Sequence, residues 1–539
     1  MKIGINSEKK SVRRALRFSL LAIGAMLTGL TLVLPAIGII EWIGLVPAAI
    51  ALIMICRDDK VRRRGLYGYG FFFFMCFYLV NYHWFINLYP LDFVDGMTKP
   101  AAVAVIIAGW FGLSAFQAVV GGLLFILFGE LVRGNLARKF EFLGALLMAA
   151  LWAIFEWSQT LTWAGVPWGR LAIGQTGWLI GAQSASLFGA CFVTFLIVAV
   201  NFFIAYAIIL PTKKRLFSFV AAGIFILNTV TGVFFYFGYS DKSESIKMSA
   251  VQGNISSQEK WDITLRDRNF KVYEQYTKEA AAQGAQIIVW PETAMPYDIG
   301  VMSRYVSRLA KETESTILVG AFTVNEEGED LNSIVAVLPD GSIHETVYSK
   351  RHLVPFGEYV PLRGIFEVLI PPLTDIAMLD DDLAVGEGAQ IIELDGVKIG
   401  ALICFDSIYD ELARESVLAG AEVITLSSND SWFIDSAALY MHNAQAQLRA
   451  IENRRYVVRA ANTGISSVIS DRGDILCTQA PLTEGQISAD IYPNDTKTLF
   501  TYVGNSFVYL CIALVFIWIV YEKIINKYFC RFLDTVNKR

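Results

Sequence analysis

The sequence predicts a two-part protein, with a bundle of about eight transmembrane helices and an extramembrane domain in which strands and helices alternate. The 539 residues are 55% hydrophobic and only 18% charged, and the mean hydropathy is +0.47. Such a composition does not fit an ordinary soluble enzyme. Apolar residues crowd before residue 240 and return near the C-terminus, and a polar segment separates the two regions.

The apolar runs define the expected membrane spans, since a spanning helix needs roughly 20 predominantly apolar residues. Seven runs precede residue 240, and the eighth lies near the C-terminus. The first has no small-residue cleavage site after it, so we interpret it as a retained anchor. The expected spans are residues 16–34, 37–55, 69–88, 101–128, 143–155, 187–210, 216–237 and 501–521.

The short loops predict the orientation of these spans, because Lys and Arg concentrate on the cytoplasmic side of a membrane. Basic residues cluster before the first span, in every second loop, and after the last span. Both termini are therefore expected in the cytoplasm. This arrangement predicts a membrane domain at 1–238, a periplasmic domain at 239–499, and a final span with a cytoplasmic tail at 500–539. The membrane would be a bacterial inner membrane.

The polar segment has short β-rich runs between polar helical stretches, which is typical of an α/β or layered α+β domain. A hairpin turn is expected at Pro339, Asp340 and Gly341. The apolar stretch 361–384 fits either a lid against the bilayer or a loop packed on the domain core. Strands are expected at 246–251, 286–289, 317–319, 334–338, 343–348, 397–403 and 423–426, and helices at 266–283, 304–312, 409–419 and 437–454.

Cys404 is the candidate nucleophile of this domain. It follows the apolar run VKIGALI and precedes a helix expected to begin near Tyr409. A helix N-terminus lowers the pKa of a thiol, and the thiolate is the reactive form. Two other interpretations remain open for this residue: an inert core cysteine, or a disulfide with Cys477.

Glu292 and Lys350 supply the other two chemical groups. Glu292 follows the run GAQIIVW, where Pro291 directs the chain out of helical geometry. Its carboxylate can accept a thiol proton and return it later. Lys350 ends a predicted hairpin strand, and a fixed ammonium can stabilise an oxyanion together with backbone N–H groups near Phe405. Each residue alone also fits a solvated surface position.

The sequence contains little that favours a metal site, a nucleotide cofactor, a serine nucleophile or a nucleic-acid partner. His83, His344, His352 and His442 are scattered, and none forms a tight sequence pair with another His or Cys, so no metal is expected. No GxGxxG, phosphate-loop or GxSxG motif occurs, and no cofactor is expected. The net charge of −5 gives no basic footprint for nucleic acid.

Four motifs, WPET, YSKRHLVPFGEYVPL, ICFD and SNDSWF, together resemble the carbon-nitrogen hydrolase (nitrilase) superfamily. That resemblance implies an αββα sandwich, with Glu292 as proton acceptor, Lys350 as oxyanion stabiliser and Cys404 as nucleophile. The flanking spans, VQGN at 251–254 and KWD at 260–262 narrow the resemblance to the apolipoprotein N-acyltransferases over essentially the whole chain. In that family an acyl chain passes from a membrane phospholipid, usually phosphatidylethanolamine, through a cysteine thioester. The acceptor is the N-terminal amine of the diacylglyceryl-cysteine of an apolipoprotein.

The same resemblance implies supporting or substrate-binding roles for Glu358, Trp261, Trp432, Phe405 and Asp406. Many relatives have Tyr and Glu directly after the cysteine, whereas this chain has Phe405 and Asp406. The hydroxyl is therefore missing and the carboxylate is shorter.

Two other functions remain compatible with these motifs. One is a membrane-tethered amidase or nitrilase that uses the same trio with water as the acceptor. The other is a scaffold that binds lipoproteins without catalysis.

Overall fold

The computed structural model describes residues 7–91, 97–134, 141–238, 243–369 and 382–522. The chain divides into two compact units. One comprises 1–86, 99–236 and 505–539, and the other comprises 87–98 and 237–504. The predicted domain limits of 238 and 499 stay predictions.

The first unit is helical. Its α-helices and principal 3₁₀ segments are Ser7–Val33, Pro35–Ile40, Glu41–Gly44, Val46–Cys56, Arg63–Asn81, Lys99–Val132, Glu141–Ser158, Leu179–Ala182, Ala185–Phe188, Ala190–Ile209, Lys214–Phe237 and Ser506–Val520. Within the described residues, six helical segments are long and apolar enough to cross a membrane, which makes this a multi-pass membrane protein. They are Ser11–Val33, Pro35–Cys56, Lys99–Val132, Glu141–Ser158, Ala190–Ile209 and Pro211–Phe237.

The six segments agree with six of the eight predicted spans, including the short fifth one. The third prediction corresponds to the helix Arg63–Asn81, whose first turn carries arginines, followed by a 3₁₀ segment at His83–Leu88. The eighth corresponds to the short helix Leu499–Val503 and the 15-residue helix Ser506–Val520. Gly504 separates these two helices with a φ of +53°, a value that favours glycine.

The second unit contains thirteen described strands. They are β1 (Ile246–Gln252), β2 (Ile287–Val289), β3 (Met295–Asp298), β4 (Thr316–Val324), β5 (Asp330–Val337), β6 (Tyr348–Ser349), β7 (Ile391–Leu394), β8 (Val397–Ile403), β9 (Val423–Ser428), β10 (Val457–Ala461), β11 (Ser466–Ile469), β12 (Ile475–Gln479) and β13 (Gly485–Ile491). One sheet has the order β13-β1-β2-β4-β5-β6, with β3 paired to β4. The other has the order β12-β11-β10-β9-β8-β7.

The two sheets pack face to face because each strand alternates its side chains between two faces. Met248, Val289 and Leu318 of the first sheet share one buried cluster with Ile399 and Val458 of the second. The neighbouring residues in sequence point the other way, and Val251 and Ile288 pack under helices instead. These alternating faces account for the interior of a two-sheet sandwich.

Helices cover the outer face of each sheet. Arg266–Ala282 and Ile299–Thr313 contribute Phe270, Tyr273 and Leu309 to the cluster on the first sheet. Asp410–Leu418 and Ala437–Asn453 contact the second sheet. The shorter helices of this unit are Ser257–Trp261, Arg363–Leu369 and Leu499–Val503. The result is the αββα arrangement that the resemblance implies.

Most predicted elements agree with the structure, and 397–403 matches β8 in both bounds. The predicted strand at 343–348 is wrong, because β6 contains only Tyr348 and Ser349. The tight turn before it is present: Gly341 has a φ of +80°, and Leu338 N–H donates to Ser342 O at 2.8 Å. Half of the predicted lid or loop at 361–384 lies outside the described residues, and the helix Arg363–Leu369 occupies part of the other half.

Candidate active site

Glu292 lies just beyond the carboxyl end of β2, and buried aromatic packing fixes the point where the chain leaves the sheet. The ring of Trp290 stacks on Tyr273 with centroids 4.9 Å apart, and its indole N–H donates to Thr277 Oγ1 at 2.9 Å. Gly320 of β4 lies directly beneath the turn. A Cβ there would lie 2.2 Å from Pro291 O and 2.9 Å from Glu292 Cα, so this position requires glycine.

Lys350 follows β6 directly and is only 1% exposed. Its ammonium lies between two carboxylates, donating to Glu292 Oε1 at 2.8 Å and to Glu358 Oε1 at 2.9 Å. Burial opposes the charged form of the lysine. The two carboxylates outweigh that effect and hold the pKa of Lys350 well above its ordinary value. The side chain is therefore a cation at neutral pH.

Glu292 is ionised for the reciprocal reason. Burial acts against the carboxylate, but Lys350, Lys260 and the Asn332 amide lower the pKa of Glu292 below its ordinary value. Its second oxygen, Oε2, accepts the backbone N–H of Asn429 at 2.8 Å. An ionised, oriented carboxylate is suited to accept a proton.

Cys404 directly follows the carboxyl end of β8 and has a φ of +47°, which is uncommon for a residue with a side chain. Burial raises the pKa of its thiol, with a further contribution from the Glu292 carboxylate, whereas Lys350 acts in the opposite direction. The expectation that a helix N-terminus lowers this pKa is wrong. Cys404 begins the short 3₁₀ segment Cys404–Ile408, and the α-helix begins only at Asp410.

Both cysteines of this unit are free, so no Cys404–Cys477 disulfide is present. The thiol of Cys477 donates weakly to Ser488 O at 3.8 Å instead.

The structure brings Glu292, Lys350 and Cys404 together from the ends of three strands in two different sheets.

Asn332 is a site residue that sequence reasoning missed. Its amide Nδ2 donates to Glu292 Oε1 at 2.8 Å and to Glu358 Oε1 at 3.1 Å, and the side chain is buried. Its backbone carbonyl accepts the Lys350 N–H at 2.8 Å. Asn332 therefore helps to position the Glu292 and Glu358 carboxylates and the main chain of Lys350. The sequence carried little signal for this role, because Asn332 lies in the polar first half of β5, before the apolar run 334–337.

Lys260 is a second missed residue, and it belongs to the KWD motif. Its ammonium is buried and donates to the backbone oxygen of Glu292 at 3.0 Å and to the Thr293 hydroxyl. Burial lowers the pKa of Lys260 to about 8, although Glu292 and Cys404 both favour its charged form. Thr293 has a φ of +44°, so Lys260 also supports a strained turn.

Asp406 is fully buried, and its hydrogen bonds join the loop after Lys350 to the turn that begins at Cys404. Its Oδ1 accepts the His352 N–H at 2.8 Å, while its Oδ2 accepts the Tyr348 hydroxyl at 2.9 Å and the Ile403 N–H at 3.0 Å. Burial raises the pKa of Asp406 to about 6 despite these donors and Lys350. The Asp406 side chain, which is shorter than the Glu of many relatives, therefore binds backbone N–H groups and a tyrosine hydroxyl of the protein itself.

The remaining predicted residues lie on surrounding segments. Glu358 accepts the Val354 N–H at 2.8 Å through Oε2, so the FGE loop is folded around its carboxylate. Trp261 is 48% exposed and lies 6.0 Å from Phe322, centroid to centroid. Trp432 lies in the segment Ser431–Phe433, which a contact of 2.7 Å between the Ser257 and Ser431 hydroxyls joins to the helix bearing Trp261. Phe405 is partly exposed, with its ring 5.5 Å from that of Tyr409.

The fold also brings His442 to Cys404, which the scattered sequence positions did not predict. One donor atom from each of Cys404, Asp430 and His442 lies within 4.8 Å of the other two. Asp430 is already bound by Arg459 Nη2 at 2.5 Å and by Ser428 Oγ at 2.7 Å. Because Arg459 places a cation on this carboxylate, the cluster is better suited to hydrogen bonding than to holding a metal ion.

Buried arginines lie near the end of the helix Ala437–Asn453 and in strand β10 after it. Arg449 pairs with Glu452 at 2.8 Å. Arg455 instead donates to backbone carbonyls, including Ala421 O and Thr496 O, both at 2.7 Å. Arg459 turns toward the site because strand β10 carries it beside the end of β9.

Comparison with known proteins agrees with both units. The family model for the apolipoprotein N-acyltransferase N-terminal domain matches residues 24–203, and the carbon-nitrogen hydrolase model matches residues 247–499. An apolipoprotein N-acyltransferase of Geobacter metallireducens is 31% identical over 79% of this chain and 85% of its own length. One of Gloeobacter violaceus is 28% identical over 95% of both chains.

A solved structure, the nitrilase-superfamily protein Nit3 of Saccharomyces cerevisiae, is 19% identical over 47% of this chain and 93% of its own, with a TM-score of 0.37. The relationship to the full-length relatives extends through the membrane segments as well as the sandwich. By this match over most of its length, the chain belongs to the apolipoprotein N-acyltransferase family.

Proposed function

We propose that the protein transfers a fatty acyl chain from a membrane phospholipid to the N-terminal amine of the diacylglyceryl-cysteine of apolipoproteins. The observation that carries this proposal is the Glu292, Lys350 and Cys404 constellation in a chain with six candidate membrane spans. Phosphatidylethanolamine is the proposed donor. The reaction proceeds in two half-reactions through a thioester on Cys404.

In the first half-reaction, the Glu292 carboxylate takes the thiol proton as the sulfur attacks the ester carbonyl of the phospholipid. The negative charge that develops on the carbonyl oxygen is stabilised by the Lys350 ammonium and by backbone N–H groups near Phe405. The carbon–oxygen bond to glycerol then breaks. Glu292 returns its proton to the departing alcohol, and a lysophospholipid leaves.

In the second half-reaction, the acceptor amine attacks the thioester carbonyl and Glu292 takes a proton from the amine nitrogen. The carbon–sulfur bond breaks, and the proton on Glu292 returns to the thiolate. An amide forms and the free thiol is restored. The burial of Glu292 and Lys350 supports this assignment, because a thioester shielded from water survives until the amine arrives.

The proposed assignments of the other residues follow from their contacts. Glu358 shares the Lys350 ammonium with Glu292 and fixes its direction. Trp261, Phe405 and Trp432 are proposed to contact the substrate, whereas Asp406 aligns the two catalytic loops. The sandwich, proposed at 239–499, lies in the periplasm of an inner-membrane protein, with both termini in the cytoplasm and membrane segments at 1–238 and 500–539.

The acyl-enzyme provides the decisive test. The purified protein is incubated with phosphatidylethanolamine vesicles in the absence of acceptor and is then acid-quenched for intact-protein mass spectrometry. We expect an adduct of one acyl chain that hydroxylamine removes. Cys404→Ala should abolish the adduct, whereas the matched variant Cys477→Ala should retain it. Acyl transfer to an acceptor peptide without any detectable adduct would overturn the thioester pathway.

The amidase alternative uses the same trio with water as the acceptor. Measuring hydrolysis of simple amides beside acylation of a diacylated peptide separates the two functions. The proposal predicts acylation at a rate at least 100-fold above amide hydrolysis, and the reverse ratio would favour the amidase. A Cys404→Ala variant with full activity in cells would support the scaffold function instead.

A further inference from the structure

Behind the cysteine lies a buried cluster that the proposed reaction does not use: Ser407, Asp430, His442 and Arg459. We propose that Asp430 holds His442 as an imidazolium, and that this cation positions Cys404 and stabilises its thiolate. His442 is then a positioning residue. The inference rests on the proposed function only for the identity of the nucleophile.

The first step concerns the ring nitrogen Nε2 of His442. It lies 3.2 Å from the Cys404 carbonyl oxygen, which can only accept a hydrogen bond. It also lies 3.0 Å from Ser407 Oγ, whose own hydrogen is donated to the same carbonyl at 2.7 Å. Both neighbours therefore present lone pairs, and Nε2 must carry the proton.

The second step concerns Nδ1. It lies 3.0 Å from Asp430 Oδ1, and an ionised carboxylate only accepts. Arg459 Nη2 is 3.2 Å from the same nitrogen, but it donates to Asp430 Oδ2 at the shorter distance of 2.5 Å. Without a proton on Nδ1, two lone pairs would face each other at 3.0 Å. The shorter contact therefore favours a proton here as well.

The charges around the site support this protonation state. Four carboxylates that surround the site or join its loops are matched one to one by cations only when His442 is protonated. The carboxylates are Glu292, Glu358, Asp406 and Asp430, and the cations are Lys260, Lys350, His442 and Arg459. A neutral set is favoured in a site that excludes water, because unpaired buried charge is costly.

A ring nitrogen of His442 lies within 4.8 Å of the Cys404 sulfur. A cation at this distance stabilises a thiolate, typically by enough to change its population tenfold or more. His442 also binds the carbonyl of a residue whose φ of +47° is unfavourable. It therefore acts on both the charge and the direction of the nucleophile.

The protonation state can be read in the unmodified full-length protein, because the chain has only four histidines. The protein is labelled with ¹⁵N-histidine and its ring-nitrogen shifts are recorded at pH 7.5. We expect one histidine with both nitrogens in the protonated range, and its signal should vanish in His442→Gln. A neutral ring with a proton only on Nε2, accepting from Arg459 at Nδ1, would overturn the inference.

The effect on the thiol is measured by alkylation with iodoacetamide at pH 7.5, followed at Cys404 and Cys477 by peptide mass spectrometry. His442→Gln keeps a polar side chain but removes the charge, so alkylation of Cys404 should slow about tenfold while Cys477 is unchanged. His344→Gln is the matched control, since His344 contacts the backbone N–H of Thr346. An unchanged Cys404 rate in a folded His442→Gln protein contradicts the inference.

Ser407→Ala separates charge from hydrogen bonding. It removes one neighbour of Nε2 but leaves the imidazolium, so Cys404 alkylation should stay within about twofold of the wild-type rate. A tenfold loss in this variant would assign the effect to hydrogen bonding alone. No phospholipid is present in these measurements, so their outcome is independent of whether acyl transfer takes place.

Discussion

The Asn332 amide donates to Glu292 Oε1 at 2.8 Å and also reaches Glu358 at 3.1 Å. The amide group of Asn332 thus donates to both carboxylates. This donation reduces the repulsion between the two negative charges that flank the Lys350 ammonium. Asn332→Ala removes this donor, and we expect thioester formation to slow about 10-fold to 100-fold. Single-turnover acylation of Cys404 from phosphatidylethanolamine measures the effect.

The matched control is Asn325→Ala. Asn325 lies in the exposed turn between β4 and β5 and bonds Glu329 at 2.9 Å. We expect its acylation rate to match that of the wild type. Equal rates for both alanine variants would contradict the role given to Asn332.

Glu358→Gln tests the second carboxylate. The substitution leaves Lys350 with Glu292 as its only anionic partner among the described residues, because the amide oxygen of Gln can accept a hydrogen bond but carries no charge. We expect the rate of thioester formation to fall about 100-fold with little change in phospholipid KM. The exposed Glu393→Gln variant of β7 serves as control, and a KM increase without a loss of kcat would assign Glu358 to binding.

The pKa of Lys260 predicts that activity declines at basic pH. Its pKa of about 8 means that the ammonium loses its proton as the pH rises through 8, and the Glu292 turn then loses a buried cation. Thioester formation should therefore decline above about pH 8. Lys260→Arg keeps the charge at higher pH, so the decline should move upward by more than one pH unit. An identical profile for the two proteins assigns the limit to another group.

The hydrogen bond from the Tyr348 hydroxyl to Asp406 should contribute to stability by an amount that depends on pH. Burial raises the pKa of Asp406 to about 6, so its carboxylate is ionised above that pH and largely protonated well below it. Tyr348→Phe removes a hydroxyl donor to an ionised carboxylate at pH 7.5, a loss of about 2 kcal/mol. The loss should shrink near pH 5, where the acceptor is neutral.

Thermal unfolding in detergent at the two pH values measures this difference. Tyr440→Phe is the control, because Tyr440 is 51% exposed. A Tyr348→Phe destabilisation that is the same at pH 5 and pH 7.5 would contradict the assigned contribution of Asp406.

Local patterns in the sequence were enough to predict much of the fold. Six spans, most strands up to β9 and the four longer helices of the sandwich follow from runs and periodicities within about 20 residues. The positions of Glu292, Lys350 and Cys404 at strand ends followed from the same patterns. The predicted strand at 343–348 was wrong, because only Tyr348 and the following Ser349 form a strand, β6, which pairs with β5 over two residues.

Which polar groups share the site depends on how the two sheets pack, and local patterns do not predict it. Asn332 lies 40 residues from Glu292 in sequence, and His442 lies 38 residues from the Cys404 carbonyl it binds. No periodicity encodes such pairs, because they depend on strand order and register across two sheets. Burial also reversed the expected direction of the Cys404 pKa, since desolvation depends on the packed surroundings of the thiol. The sequence determined which chemical groups are present, and the packing of the sandwich decided their partners and charges.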